Sequence, residues 1–192
     1  MARFTIIGTG TMATAIGGVL ADGGSDVAYI AHEQVGTAPV DGDVVVLAVP
    51  YPAVDAVITA YGDRLAGKTV VDITNPLNFE TFDSLVVPAG SSAAAEIAAR
   101  LPRNHVLKAF NTTFAATLAS KSVGGTTTTV LIAGDDAASK QTLADAVRAG
   151  GVAAVDAGTL ARAHELEALG FLQLTLAVSE SIGWTGGFAV VR

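Results

Sequence analysis

The sequence predicts an α/β fold whose centre is a doubly wound, mostly parallel sheet covered by helices on both faces. Short β-branched runs alternate with segments of helical periodicity from the first residues onward, which is the pattern of strand–helix–strand units. Several of these runs are apolar on both faces, as strands covered by helices on each side are. The length of 192 residues suffices for one ordinary domain and is too short for two full ones.

The strands are predicted from the β-branched runs and the helices from apolar residues that recur every three to four positions. The strands of the sheet are predicted at 4–7, 27–30, 44–49, 69–73, 106–110, 127–132 and 152–155, with a short terminal strand at 188–191. The helices are predicted at 11–21, at 53–61, from Ser91 or Ser92 to 101, from Asp135 or Asp136 to 148, and at 159–182. The interval 32–43 is barely long enough for a crossover with a regular helix, so a short loop or a single turn is expected there.

The C-terminal part is predicted to extend the main domain. Residues 1–158 are expected to form a dinucleotide-binding domain, and 159–192 a helix and strand that pack on it. The predicted helix at 159–182 is apolar around most of its circumference, and such a helix must be buried. A second copy of the chain would bury it, so a homodimer is expected. Arg162, Glu165 and Glu167 are predicted to form ion pairs on the helix surface or at that interface.

Composition excludes several classes of function. A formal charge of −7 argues against nucleic acid or an anionic membrane as partner. The chain has no cysteine, so it has neither disulfides nor thiolate metal ligands. His164 and Glu167 share a helix face, but a metal site needs a third ligand and none is evident, so no metal is expected. With no recognisable signal peptide or membrane span, a cytoplasmic protein is expected.

The sharpest motif directly follows the first strand and opens the first helix. It reads Gly8-Thr9-Gly10-Thr11-Met12-Ala13, which matches the G-x-G-x-x-G/A fingerprint of Rossmann-type dinucleotide-binding folds. The first glycine permits the tight turn, the second removes the Cβ that would keep a pyrophosphate away, and the alanine lets the helix pack on the strand. The N-terminus of the helix adds N–H donors and partial positive charge. A glycine turn that serves only packing is the alternative.

The choice of dinucleotide depends on the residues after the second strand. An NAD site usually carries an acid about 20 residues beyond the fingerprint, where it binds the ribose 2′-hydroxyl. That spacing leads to Glu33. His32 would instead sit over a 2′-phosphate, as an NADP site requires, and a solvated loop with neither role is a third alternative. The interpretation favours NADP and leaves NAD open.

Ligands of open α/β sheets bind outside the carboxyl ends of the strands, and three further strands end in polar or rigid residues. These are Ala48, Val49 and Pro50 at the end of the third strand, Asn75 and Pro76 at the end of the fourth, and Lys108, Asn111 and Thr112 at the end of the fifth. Asn75, Lys108, Asn111 and Thr112 are expected to converge on one crevice, where they would face a nicotinamide amide or a second ligand. Lys108 is the candidate for a substrate contact, and no catalytic acid or base is assigned. Phe79, Phe110 and Phe114 are either an apolar wall of that crevice or ordinary core residues.

Together these segments resemble the family of coenzyme F420-dependent NADP oxidoreductases, which includes the dinucleotide domains of eukaryotic metalloreductases. The resemblance is carried by IGTGTMA at 7–13, VLAVP at 46–50, DITNPL at 72–77, KAFNT at 108–112 and ARAHELE at 161–167. It implies that the first segment holds the NADP pyrophosphate and that the second and third line the nicotinamide side. It also implies that Ala31 and His32 occupy the positions where the family grips the 2′-phosphate with Ser and Arg. Direct hydride transfer between nicotinamide and a deazaflavin ring is the chemistry it implies.

The predicted function is an NAD(P)H-dependent reductase whose hydride acceptor is F420, a flavin or another small redox compound. A rival within the enzymes is a dehydrogenase or imine reductase, which would need a general acid near the nicotinamide, and Lys108 is the one candidate. A rival from another class is a dinucleotide-binding sensor or partner protein without turnover. Tight binding of NAD(P) without oxidation by any acceptor would distinguish this last alternative.

Overall fold

The structure, a computed structural model, describes residues 2–191, and its centre is a seven-stranded sheet. The strands of this sheet are β1 (Arg3–Ile7), β2 (Asp26–Ile30), β3 (Val44–Leu47), β4 (Thr69–Asp72), β5 (His105–Ala109), β8 (Thr129–Gly134) and β9 (Ala153–Gly158). A separate small hairpin consists of β6 (Ser122–Val123) and β7 (Thr126–Thr127). The strand order is β2-β1-β3-β4-β5-β8-β9.

The first five strands are parallel, and the sheet reverses direction once. β8 pairs antiparallel with β5, and β9 then pairs parallel with β8. The predicted doubly wound, mostly parallel sheet is therefore confirmed. Ile7 is in register with Ile30 on one side and Leu47 on the other, and Asp72 is in register with both Leu47 and Lys108. The carboxyl ends of β1 to β5 consequently meet along one edge, where the predicted site residues lie.

Helices cover both faces of the sheet. They are α1 (Thr11–Asp22), α2 (Tyr51–Tyr61), α3 (Ala93–Arg100), α4 (Ala115–Ala119), α5 (Ala137–Ala149) and α6 (Ala163–Val178). One apolar core lies under α1, α4 and α5, and a second lies under α2 and α3. Ile16 and Leu20 of α1 are fully buried, and each such side chain contributes about 1.5–3 kcal/mol relative to an exposed one. The predicted single turn after β2 is present as a 3-10 helix at His32–Gln34.

Two predicted strands differ from the structure by more than the position of their ends. Residues 188–191 form no strand, because the chain after α6 is tied by a side chain, with the Phe188 N–H donating to Gln173 Oε1 at 3.2 Å. The predicted strand 127–132 is divided between β7 and β8. The cause is the hairpin turn at Gly124 and Gly125, both at positive φ, which pairs Thr126 and Thr127 with β6 before the chain enters the sheet.

The last helix is also shorter than predicted. A 3-10 helix at Leu160–Arg162 precedes it, and it ends at Val178. Glu180 adopts a left-handed conformation with φ 60°, which ends a helix because it directs the following N–H groups back to the last carbonyls. The N–H groups of Ser181 and Ile182 both donate to the Leu176 carbonyl. Within residues 2–191, no helix has the length and apolar character that crossing a bilayer requires.

Candidate functional site

The glycine turn between β1 and α1 places its two glycines in different surroundings. Gly8 has φ 124°, and a Cβ there would overlap the backbone carbonyl of Ala48 at the end of β3. Its N–H donates to the Ile30 carbonyl at 2.9 Å. At Gly10, by contrast, no described atom lies within 4 Å of the position a Cβ would take. Gly8 is therefore required by the fold, while Gly10 leaves open space above the turn.

The N-terminus of α1 borders this open space. The first N–H groups of a helix have no acceptor within the helix, and no side chain among residues 2–191 caps α1. No acidic residue lies in its first turn, so nothing there repels an anion. Ala13 is fully buried and packs the helix on the sheet, as the fingerprint requires. A groove of about 620 Å³ starts at Thr9 and Thr11 and continues between α1 and α4.

The residues after β2 lie beside the glycine turn, because Ile30 pairs with Ile7. Ala31 precedes the 3-10 helix, and its N–H donates to Gln34 Oε1 at 3.0 Å. His32 and Glu33 are both exposed. Each is therefore accessible to a ligand at this edge, and the roles predicted for them stay predictions.

The end of β3 lies next to the glycine turn at the carboxyl edge of the sheet. The Ala48 N–H donates to the Ile7 carbonyl at 2.9 Å, Ala48 and Val49 are half-buried, and Pro50 is exposed at the start of α2. The next residue, Tyr51, donates its hydroxyl to Glu96 of α3. Burial, followed by this bond to a carboxylate, raises the pKa of Tyr51 far above its ordinary value, so its hydroxyl keeps its proton.

Asn75 and Asn111 meet across the ends of β4 and β5. The Asn75 Nδ2 donates to the Asn111 carbonyl at 3.0 Å, and the Asn111 Nδ2 donates to Asn75 Oδ1 at 2.9 Å. The Asn111 Nδ2 also donates to the Leu166 carbonyl of α6 at 2.8 Å. Pro76 and Thr112 are buried next to them. Asn75 and Asn111 thus meet at these strand ends, and both amide protons of Asn111 are used within the protein. A common ligand crevice for Asn75, Lys108, Asn111 and Thr112 stays a prediction.

Lys108 is fully buried in β5, and its ammonium has three acceptors. The Nζ atom lies 2.8 Å from Asp72 Oδ2, 2.8 Å from Glu167 Oε1 and 2.5 Å from the Thr74 carbonyl. An ammonium has three N–H donors, so these contacts satisfy it completely. A contact between Lys108 and a substrate stays a prediction, and the structure accounts for its charge without one.

Glu167 is the partner that sequence reasoning missed. It was expected on the helix surface or at an interface, but it is fully buried, whereas Arg162 and Glu165 do form the expected exposed pair at 2.8 Å. Its carboxylate accepts from the N–H groups of Ala93 and Ala94 at the start of α3. Burial raises its pKa above the ordinary value, although Lys108 and the Ala93 N–H act in the opposite direction. A lysine inside a buried strand was the available signal, since such a charge needs carboxylate partners.

Two buried oxygens at the same strand ends have no hydrogen-bond partner within residues 2–191. They are Thr74 Oγ1 and Asn111 Oδ1. Buried polar atoms are nearly always paired, so these two oxygens are exceptions at the strand ends, and neither has exposed surface.

The three phenylalanines do not form a common wall. Phe110 is fully buried, while Phe79 is 58% exposed and packs edge-on against Phe82. Phe114 is mostly buried, with its ring centroid 5.0 Å from that of Trp184 in the C-terminal segment. Phe110 and Phe114 are thus core residues, whereas Phe79 is neither a core residue nor part of an apolar wall of the crevice.

Comparison with known proteins relates this arrangement to one family. The family model described as NADP oxidoreductase, coenzyme F420-dependent, matches residues 28–76. The F420-dependent NADP reductase of Methanocaldococcus jannaschii is 30% identical over 150 residues, which cover 76% of this chain and 67% of that protein. Metalloreductase STEAP3 of Rattus norvegicus is 36% identical over 112 residues, or 58% of this chain, but the chain spans only 22% of that longer protein.

A solved structure matches this chain over its full length. A proposed F420-dependent NADP reductase from Arthrobacter sp. FB24 superposes with a TM-score of 0.84 at 25% identity, and the match covers 100% of both chains. The agreement in sequence and fold shows that the chain belongs to the F420-dependent NADP oxidoreductase family, a family of NAD(P)-dependent oxidoreductases.

Proposed function

We propose that the chain binds NADPH along the carboxyl edge of its sheet and passes the hydride to a small redox acceptor, F420 or a flavin. The observation that carries the proposal is the open space over Gly10 at the uncapped N-terminus of α1. A pyrophosphate needs both a close approach to the backbone and free N–H donors. The turn offers both, so the residues fit the cofactor.

The proposed contacts follow the order of the strand ends. Gly8, Thr9, Gly10, Thr11 and Met12 would hold the pyrophosphate, and Ala31 and His32 the 2′-phosphate. Ala48, Val49, Pro50, Asn75 and Pro76 would border the nicotinamide. Glu33 is the rival contact, because a carboxylate at that place would accept from a ribose 2′-hydroxyl and repel a 2′-phosphate.

The cofactor supplies the hydride, and the protein supplies binding and orientation. In this proposal the carboxamide of the nicotinamide bonds to Thr74 Oγ1 and Asn111 Oδ1, which have no exposed surface and would be reached only through a displacement of the loops after β4 and β5. A carboxamide fixed in this way has a defined ring orientation, and orientation is a large part of what a hydride-transfer enzyme contributes. No side chain is required to break a bond. Asn111 and Thr112 would lie on the acceptor side of the ring.

A dehydrogenase or imine reductase that relies on Lys108 as general acid is not favoured. The ammonium has no exposed surface, and all three of its protons are engaged. A general acid must reach the substrate at hydrogen-bond distance. Hydride transfer without a side-chain acid is therefore the better match to the site.

We also propose that residues 159–192 extend the same domain and form a homodimer contact. Glu167 and Gly170 pack α6 onto the ends of β4 and β5. Leu172 and Val178 of this helix are about half exposed, as is Trp184 beyond it. Burying these side chains between two copies would stabilise a dimer. Sedimentation velocity of the wild-type chain and of Leu172→Glu tests this, and a monomeric wild type would contradict it.

The first test is calorimetric titration of the purified chain with NADPH and NADH in parallel. Tighter NADPH binding that is weakened by His32→Ala supports the 2′-phosphate assignment. Tighter NADH binding that is weakened by Glu33→Ala reverses it in favour of NAD. Absence of binding for both dinucleotides contradicts the proposal.

Acceptors are then tested by the oxidation of NADPH with F420, FMN or FAD. Oxidation with F420 or a flavin identifies the acceptor class. Tight binding without oxidation by any of them would favour the rival function of a dinucleotide sensor.

A further inference from the structure

The carboxylate of Glu167 connects three separate elements at the edge of the sheet. It extends from α6, accepts from the Ala93 N–H at 2.9 Å and the Ala94 N–H at 3.3 Å in α3, and pairs with Lys108 of β5 at 2.8 Å. All of these contacts are buried. The carboxylate thus has hydrogen-bond donors on both oxygens and a fixed direction.

Lys108 connects the Glu167 carboxylate to the loop after β4 through hydrogen bonds. Its two other bonds go to Asp72 Oδ2 and to the carbonyl of Thr74. Asp72 Oδ1 in turn accepts from the Thr74 N–H at 2.8 Å. Both backbone polar groups of Thr74 are therefore held by the charged cluster. The next residue along the chain is Asn75.

The same turn of α6 also holds the loop after β5. The Leu166 carbonyl, one residue before Glu167, accepts from the Asn111 side chain at 2.8 Å. Asn111 is the residue that pairs with Asn75. Two consecutive residues of α6 therefore fix both loops that meet at the proposed nicotinamide end.

The use of charges here indicates that direction matters. Apolar side chains of similar volume often replace a buried ion cluster without loss of stability. They cannot fix a carbonyl or an N–H in one orientation, whereas charge-assisted hydrogen bonds do. This cluster has two carboxylates and one ammonium, and the positive N-terminus of α3 compensates part of the excess negative charge.

We propose that Glu167 and Lys108 are positioning residues for hydride transfer, which orient the dihydronicotinamide by fixing the backbone of Thr74 beside Asn75. This inference rests on the proposed function, because it assumes that the nicotinamide lies at these strand ends. The two residues act through the loop and do not touch the cofactor.

The test compares the two ends of the cofactor in Glu167→Gln, which keeps the size of the side chain and removes its charge, and in Glu167→Asp, which keeps the charge and withdraws it by one methylene. Lys140→Met is the matched control, because it breaks another lysine–carboxylate pair, with Asp156 at 2.8 Å, between α5 and β9. The probes are NADPH and 2′-phospho-ADP-ribose, which lacks the nicotinamide. The readouts are their dissociation constants and the fluorescence anisotropy of the bound dihydronicotinamide.

In both Glu167 variants we expect the dissociation constant of NADPH to rise about tenfold, since small misplacements of a binding group have effects of this size or larger. The anisotropy of the dihydronicotinamide should fall, while binding of 2′-phospho-ADP-ribose stays within about twofold. Lys140→Met should match the wild type in all three measurements. Where F420 or FMN is reduced, NADPH deuterated on one face of the nicotinamide ring reports which face gives up the hydride. In the variants, hydride transfer should lose its selectivity for one face.

Equal weakening of both probes, or no change in either, would overturn the positioning role while leaving dinucleotide binding intact. Failure of the wild type to bind either probe would overturn the proposed function and this inference with it. Should the single variants not fold, the combined variant Asp72→Asn, Lys108→Met and Glu167→Leu removes every charge of the cluster. It should fold, bind 2′-phospho-ADP-ribose normally and hold the dihydronicotinamide loosely, and tight NADPH binding by it would overturn the inference.

Discussion

Gly170 of α6 packs directly against the side chain of Asn75, and a Cβ at position 170 would overlap the Asn75 amide oxygen. It would also come within 2.9 Å of the Asn111 carbonyl. The missing side chain therefore allows α6 to approach the strand ends closely enough for the Leu166 carbonyl to reach Asn111. A glycine inside a helix normally reduces stability, so its presence here reflects the close approach.

We expect Gly170→Ala to destabilise the protein by about 1–3 kcal/mol, because overpacking outweighs the gain in helix propensity. Gly18→Ala is the matched control. Gly18 lies in the interior of α1 with no described atom near the position of a Cβ, so the same substitution should stabilise by about 0.5–1 kcal/mol. Urea unfolding of both variants measures the difference. A stabilised Gly170→Ala variant would show that α6 is free to move away from Asn75.

The two glycines of the turn should separate binding from folding. Gly10→Val should fold with a small loss of stability, because valine is a poorer N-cap than glycine. It should lose dinucleotide binding, because no described atom lies within 4 Å of the position of its Cβ and the added side chain takes up space above the turn. Gly8→Ala should lose about 2–4 kcal/mol of stability, because it combines a positive φ with overlap on a backbone carbonyl. Thermal unfolding and calorimetric titration check the pair. Normal NADPH binding by Gly10→Val would contradict the assignment of the turn.

Local pattern was sufficient to predict the sheet and the glycine turn. The period of the apolar residues and the position of Gly8 and Gly10 depend on neighbours in the chain, and the structure confirms both. The end of the last helix was not predictable in this way. It depends on the left-handed conformation of Glu180, which residues other than glycine rarely adopt, so no residue type announces it.

The charged cluster depends on contacts between residues far apart in the chain. Lys108 and Asp72 lie on neighbouring strands, where they are in register, so their meeting was within reach of sequence reasoning. Glu167 comes from a helix whose orientation on the sheet is fixed by tertiary packing, including Gly170. Its neighbours Arg162 and Glu165 are exposed, and the helical spacing alone does not distinguish the buried carboxylate from the exposed one.

Thr74→Val tests whether the unpaired Thr74 hydroxyl contributes a hydrogen bond to bound NADPH. The substitution removes a buried oxygen that has no partner in residues 2–191, so we expect stability to stay equal or to rise by up to about 1 kcal/mol. NADPH binding should weaken several-fold, while 2′-phospho-ADP-ribose binds as before. Thr128→Val is the control, since that buried hydroxyl donates to the Thr117 carbonyl at 2.7 Å and its loss should reduce stability without affecting NADPH. Unaltered NADPH binding by Thr74→Val would remove its hydroxyl from the site.

The raised pKa of Glu167 predicts a distinct dependence of stability on pH. Burial raises this pKa above its ordinary value of 4.5, so the native state binds the proton more tightly than the unfolded chain does. The contribution of Glu167 to stability is therefore complete below pH 4.5 and is lost as the pH rises through the raised native value. Glu167→Gln carries no titrating group, so its stability relative to the wild type should increase over that interval.

Urea unfolding of the wild type and of Glu167→Gln at a series of pH values measures this difference. Other carboxylates act in the opposite direction, since the pKa of Asp136 is lowered by the N–H and hydroxyl of Ser139 and that of Asp156 by Lys140, but both groups are present in the two proteins and cancel in the comparison. Glu165→Gln serves as the control for the loss of an exposed carboxylate from the same helix, and it also removes the surface pair with Arg162. A curve for Glu167→Gln that runs parallel to that of the wild type would mean that Lys108 and the start of α3 compensate fully for the burial of this carboxylate. The cluster would then keep its charge without loss of stability.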